Sequence, residues 1–455
     1  MFNKPLFFYS LTALVILSAC DSGSETKSVS PDANRHVANQ LTETSQKNQA
    51  NQKPDASLPV LAQSAQWVSG EITVAPGFSI QSFHEGGVKR LRHITISDSG
   101  DVLGASREGY IVGLRDTDND GRADLVEQRE APIKTGIEIR NGYLYFSDFV
   151  SVQRTPLDDN LVPQGEFETV ISGFPPEQQH ADKVFTFDSA NNIYVNSGAP
   201  SNNCQEEARS LESPGLSPCP QLETHAGIWK FNGNVSGQTM EDGERFITGV
   251  RNANALQWDD KKGGLFIAMH GRDQLFSLWP DLYEVEESAE LPAEEFHFVK
   301  GGANLGWPYT YFNPFDNQRY VAPEYGGDGK TISDQDFAHP LYAFPAHWAP
   351  NDLLIIDNPA FPEPFNEGVM IAFHGSWNRA PLAQAGYQLS FVPMKNGSMN
   401  GKPIDFAVGF SLKENLLSSR DAEHRPVGLA LGPDGALYVS DSAQGAVWKI
   451  TPDLP

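Results

Sequence analysis

Positive charge is scarce in this sequence. Lys and Arg number 33 against 58 Asp and Glu, a formal charge of −25. Such a surface repels phosphate backbones, which argues against nucleic acid as a partner. Cysteine is scarcer still, with three residues in 455. There is no Cys-x-x-Cys and no Cys-x-x-Cys-His, so thiolate metal centres and covalent haem are not expected. The apolar run from Leu6 to Leu17 is too short for a transmembrane helix. Amphipathic helical periodicity is nearly absent. What the chain has instead is 40 Gly and 32 Pro, the composition of short strands joined by turns.

The N-terminus reads as an export signal, with Lys4 ahead of that apolar run. Leu17-Ser18-Ala19-Cys20 resembles the lipobox of bacterial lipoproteins, which implies a signal peptide over 1–19 and a lipid on Cys20. Asp21 favours retention at the inner membrane in that class, so the expected address is the periplasmic face of a bacterial membrane. Residues 20–66 are polar and almost free of aromatics, a composition expected to form a disordered tether. Residues 67–455 then form the folded domain. Cys204 and Cys219 lie in a loop of this exported chain; a disulfide is expected, with two buried thiols as the alternative.

Beyond residue 70 a pattern recurs: an alternating apolar strand, a turn with Asp, Asn or Gly, then a second strand. It occurs at 93–106, 136–146, 184–196, 255–268, about 366–373 and 427–440. Six copies predict an all-β fold, a six-bladed β-propeller of four-stranded antiparallel blades. A two-sheet sandwich is the architectural alternative. Residues 71–83 are expected to close the ring against 446–450. Insertions near 197–225 and 303–350 are expected to be functional loops.

Polar clusters stand at equivalent places in the copies. They include His180-Ala-Asp-Lys183, Gly249-Val-Arg-Asn-Ala-Asn254, His270-Gly-Arg-Asp273, His424-Arg-Pro426 and Ile371-Ala-Phe-His-Gly-Ser-Trp-Asn-Arg379. In a ring they converge on one face, so His180, Arg251, Arg379 and Arg425 are expected in one pocket. With an indole to stack and Arg to grip carboxylates, such a pocket suits a flat anionic ligand. Separately, Asp116-Thr-Asp-Asn-Asp-Gly-Arg-Ala-Asp-Leu-Val-Glu127 matches a twelve-residue calcium loop. Its candidate ligands are Asp116, Asp118, Asp120, Arg122 through its carbonyl position, Asp124 and Glu127.

These segments resemble the PQQ-dependent sugar dehydrogenases, particularly the sorbosone/pyranose branch, from about residue 70 to 453. The resemblance implies a six-bladed propeller with PQQ and Ca²⁺ near its axis. It implies His180 as general base, Arg251 beside the quinone oxygens and Asn252 as a cofactor ligand. His374, Trp377, Asn378, Arg379 and Arg425 correspond to the cofactor cradle, and the carbonyls of Gly271 and Arg272 to calcium ligands. Asn-Asn-Cys at 202–204 and Pro-Cys-Pro at 218–220 look like that branch's disulfide loop. The glucose-specific branch favours Pro-Gln after Arg-Asn, where this chain has Ala253-Asn254, so glucose is not the expected sugar. No fused cytochrome is present in the sequence, which implies a separate electron acceptor, a quinone or a cytochrome. The competing expectations are a propeller lactonase and a non-catalytic binding propeller.

Overall fold

The computed structural model describes residues 64–453. The expected signal peptide, Cys20 and nearly all of the expected tether lie outside them. The packed chain is already in place at Ala65, which is buried and donates its amide to the Asp405 carbonyl.

Six four-stranded antiparallel blades form a ring, a six-bladed β-propeller. Blade 1 runs Leu91–Ile96, Val102–Ser106, Tyr110–Arg115 and Leu125–Glu130. Blade 2 runs Ile137–Arg140, Tyr143–Ser147, Val152–Pro156 and Glu168–Ser172. Blade 3 comprises Phe185–Phe187, Asn192–Ser197, Gly227–Asn232 and Glu244–Thr248. Blade 4 comprises Ala255–Asp259, Gly264–Met269, Glu294–Val299 and Tyr342–Phe344. Blade 5 is built from Pro350–Asp357, Glu367–Phe373, Gln388–Lys395 and Ile404–Val408. Blade 6 takes Pro426–Leu431, Leu437–Asp441 and Val447–Pro452 from the C-terminus and Phe78–His84 from the N-terminal side.

Burial grades across a blade as residue type does. Val102–Ser106 is buried throughout and carries only small or aliphatic side chains. The outermost strand of that blade, Leu125–Glu130, is almost wholly exposed and carries Glu127, Gln128, Arg129 and Glu130. Charge on that strand blunts an edge that would otherwise recruit another sheet.

The ring closes as expected, with Ile80 opposite Ile450 and Ser82 opposite Trp448. One detail differs from the expectation: Thr73 and Val74 pair with Val408 and Ala407 of blade 5. The N-terminal segment thus joins blades 5 and 6. Phe78 sits at that seam, 4.8 to 5.5 Å from the rings of Phe361, Phe365 and Phe406.

The loop at 198–226 enters blade 3 between its second and third strands and carries the disulfide Cys204–Cys219. The segment at 300–341 interrupts blade 4 and contains a hairpin, Thr310–Asn313 with Gln318–Val321. A further insertion at 270–293 holds two short helices, Leu275–Leu278 and Val285–Glu290. Among the described residues no helix is long and apolar enough to cross a membrane.

Candidate active site

Antiparallel alternation puts the start of each blade's first strand and the end of its second at the same edge. The clusters at 180–183, 250–254 and 424–426 precede first strands, while 270–273 and 374–379 follow second strands. They therefore share one face of the ring, as the equivalent positions in the repeat require.

His180 has a left-handed backbone, φ 52°, a region non-glycine residues seldom adopt. Its Nδ1 lies 2.7 Å from the Ala199 carbonyl. A carbonyl only accepts, so Nδ1 donates and Nε2 keeps its lone pair. Burial, then the nearby Arg251, pushes the imidazole pKa down to about 3. Close approach here depends on Gly198, where a Cβ would fall 2.7 Å from His180 Cβ and 2.8 Å from Asn252 Oδ1.

Arg251 is 3% exposed and fully engaged. Nε donates to the Asn202 carbonyl at 3.1 Å and Nη1 to the Gly271 carbonyl at 2.8 Å. Nη2 reaches Asn202 Oδ1 at 3.0 Å and Asp273 Oδ2 at 3.1 Å. Asp273 also accepts from Arg209 at 2.9 Å and from Asn378 Nδ2 at 3.2 Å. Burial alone would raise its pKa, but Arg251 and Arg209 hold it well below the usual carboxylate range. Asn252 accepts from Asn196 and faces His270 Nδ1 at 3.3 Å, while His270 Nε2 donates to the Pro350 carbonyl. Burial draws the His270 pKa down to about 4.

The second half of the cradle is looser. His374 Nε2 meets Ser442 Oγ at 2.7 Å. Arg425 reaches across to the carbonyls of His374 and Gly375 at 3.1 and 2.5 Å. Trp377 stands 57% exposed, an indole face open to solvent. Arg379 is held by main-chain carbonyls, and its charge is felt at His347. Its guanidinium donates to the carbonyls of Ala289, Ala346 and Ala383 and lies 3.6 Å from Glu290, so it anchors the 374–379 loop to the end of Val285–Glu290.

Sequence reasoning passed over several residues that build this site. Asn202 is 1% exposed and holds both Arg251 and Asp273, its side-chain oxygen also accepting the Asp273 amide at 2.9 Å. It stands two residues before Cys204, and the Asn-Asn-Cys run was its signal. Glu294, buried, accepts from the amides of Gly271 and Ala349, and burial raises its pKa to about 7. His347 donates Nε2 to two carbonyls and receives Asn378 on Nδ1. Glu324 is buried against Arg272 and Asn203, which ties the two long insertions together.

Away from this face, Asp116, Asp118 and Asp120 bring carboxylate oxygens within 4.8 Å of one another. Asp124 turns instead to Thr117, and Arg122 pairs with Glu85. Glu127 sits in the outer strand opposite Gly113 and is not part of the group. The loop docks on blade 6, with the Ala123 amide donating to the Phe83 carbonyl and Gln81 to that of Gly121.

The chain is 21% identical over 399 residues to an uncharacterised protein of Borreliella burgdorferi, covering 85% of this chain and 92% of that one. The calcium structure of a Carbohydrate-Active Enzymes family AA12 protein from Trichoderma reesei aligns with a TM-score of 0.68 at 17% identity, over 88% of this chain and 99% of that one. The holo form of the pyranose dehydrogenase PQQ domain from Coprinopsis cinerea aligns at 0.65 and 19% identity, over 87% and 99%. At such identity the likeness is one of fold. A sequence profile of the TrAA12-like family matches residues 72–453, most of the chain, and the protein belongs to that family.

Proposed function

We propose that this protein is a PQQ-dependent oxidoreductase. It oxidises a sugar or sugar-derived aldehyde or hemiacetal, of the sorbosone or pyranose type, to the acid or lactone. The observation that carries this is His180: a neutral imidazole with Nε2 open, next to a buried arginine held in one orientation. The PQQ domain among the fold neighbours supports the same reading.

The donor set suits a flat polyanion. Arg425 and His374 offer cationic and polar groups, and Trp377 offers a face for stacking. PQQ, when bound, supplies an acceptor for the two electrons of a hydride. The chain's own residues do the rest. His180 Nε2 takes the hydroxyl proton of the substrate. Arg251, fixed by Asn202, Gly271 and Asp273, keeps positive charge where negative charge develops. Asp273 and Asn202 cost the site no reorganisation, because their bonds are already made.

Calcium divides into two cases. The Gly271 carbonyl accepts Arg251 Nη1 on one of its two lone pairs; the second lone pair and the Arg272 carbonyl would hold a cation there, and no step is drawn through one. The three carboxylates of Asp116, Asp118 and Asp120 also fit a hard cation. Calcium there would strengthen the seam between blades 1 and 6. Electrons leave to a separate quinone or cytochrome, and a lipid on Cys20 would keep the enzyme at the periplasmic face of the membrane.

Replacing His180 by Ala tests the base directly. Turnover should fall by about 10²- to 10⁴-fold, with PQQ affinity little changed. Retained turnover removes His180 from the chemistry.

A further inference from the structure

Arg92 lies second in the first strand of blade 1, at the axis. It is 6% exposed, and no ion pair to it is found among the described residues. Its Nη2 donates to Asn351 Oδ1 at 2.8 Å, while Nε meets no acceptor. Its charge is felt by the carboxylates of Asp182 and Asp352, but Asp182 is bound to Arg107 at 2.7 Å and Thr135 at 2.8 Å, and Asp352 accepts the amides of Leu353 and Leu429, each at 2.8 Å. Leaving a buried guanidinium half-satisfied is costly, and folds seldom keep one without use.

Its surroundings point upward into the site. Asn351 Oδ1 receives Asn254 Nδ2 as well, at 3.2 Å, so blades 1, 4 and 5 meet through one amide. Asn351 adjoins Pro350, whose carbonyl holds His270. The positive charge of Arg92 is felt at His270 and His374, whose pKa values it helps to lower, and it is mutually felt with Arg425. Beside it, the side-chain oxygen of Asn254 has no hydrogen-bond partner, and His93 Nε2 lies 3.6 Å from the Asp352 carboxylate. Unpartnered polar atoms, the Arg92 Nε donor and the Asn254 Oδ1 acceptor among them, thus gather on the axis near His270, His374 and Arg425.

We infer that Arg92 forms the floor of the pocket and binds an anionic oxygen of the ligand held there. This rests on the reading that the ligand is PQQ, whose carboxylate and quinone oxygens are the chemistry a guanidinium recognises. The price of holding this cation unpaired in the free protein is repaid when the anion arrives. Arg92 is therefore a binding residue that destabilises the empty fold.

The test uses the full chain and PQQ itself, with affinity read by fluorescence titration and apoprotein stability by thermal unfolding. Arg92→Met should raise the Kd for PQQ by about tenfold or more, the worth of one charge-assisted contact. It should leave the melting temperature of the apoprotein equal to or above that of the wild type. Arg92→Lys should fall between the two in affinity. Wild-type affinity in a folded Arg92→Met protein overturns the inference, and so does a lower melting temperature with unchanged Kd. Failure of the wild-type protein to bind PQQ is a different result: it overturns the cofactor reading and this inference with it. If Arg92→Met does not fold, the guanidinium ¹⁵N signal of Arg92, assigned through Arg92→Lys, takes over. It should shift on adding PQQ, and an unmoved signal contradicts the inference.

Discussion

Because Nδ1 of His180 donates to Ala199, protonating the ring means placing charge on Nε2 in a buried pocket beside Arg251. The fold therefore holds this imidazole neutral down to about pH 3. In the unfolded chain it would protonate near the ordinary value of about 6.5. Between those values the unfolded state binds the extra proton, so stability present above pH 6.5 is lost as pH falls through the window. His270 and His93, each drawn down to about 4 by burial, act in the same sense. Each such histidine should remove at most about 1.4 kcal/mol of stability per pH unit below about pH 6.5. Glu138 and Glu294, raised by burial to about 8 and about 7, act in the opposite sense over the same range, so His270→Gln should flatten the acid side of a urea stability profile. Activity per folded molecule should show no acid limb near pH 6.5. A limb at that pH would mean that the base titrates like an exposed histidine, contrary to the geometry at Ala199.

At the scale of the element, the disulfide loop is the piece that sets Arg251. Cys204 and Cys219 pack with Ala199, Ala226 and Trp307, and Trp307 donates to the same Asn202 carbonyl that receives Arg251 Nε. Replacing both cysteines by serine should cost about 2–4 kcal/mol of stability. It should also lower kcat in the protein that remains folded, because Asn202 loses its frame. Stability loss with unchanged kcat would separate the loop from the chemistry. The blades themselves were legible in the sequence because period-two alternation and Asp, Asn or Gly turns act over a few residues. So were His180, Arg251 and Arg425, which repeat at equivalent edges. The short helices at 275–290 and the hairpin at 310–321 were not, since neither is long enough to show a period. Nor was the Asp273 centre, whose partners lie 22, 64 and 105 residues away and meet only after the ring closes. The capture of Arg379 by the carbonyls of Ala289 and Ala346 depends on carbonyl directions that side-chain identity does not encode.

The whole ring depends on one borrowed strand. Phe78–His84 completes blade 6, and Phe78 drives its ring into an aromatic cluster of blade 5. Phe78→Ala should therefore cost about 3–5 kcal/mol, seen as a lower midpoint in a single cooperative unfolding transition; a change under about 1 kcal/mol would mean the seam is held elsewhere. Closure is also what brings His180, Arg251, His374 and Arg425 to one axis, so the fold and the proposed oxidation stand together. Reconstitution is the most direct test of that proposal. The purified protein would be titrated with PQQ, with and without Ca²⁺, and dye reduction followed across aldoses, ketoaldoses and aldehydes. The account predicts saturable, substrate-dependent reduction that is absent without PQQ. A protein that binds no PQQ at all would contradict it and leave a binding propeller as the better account.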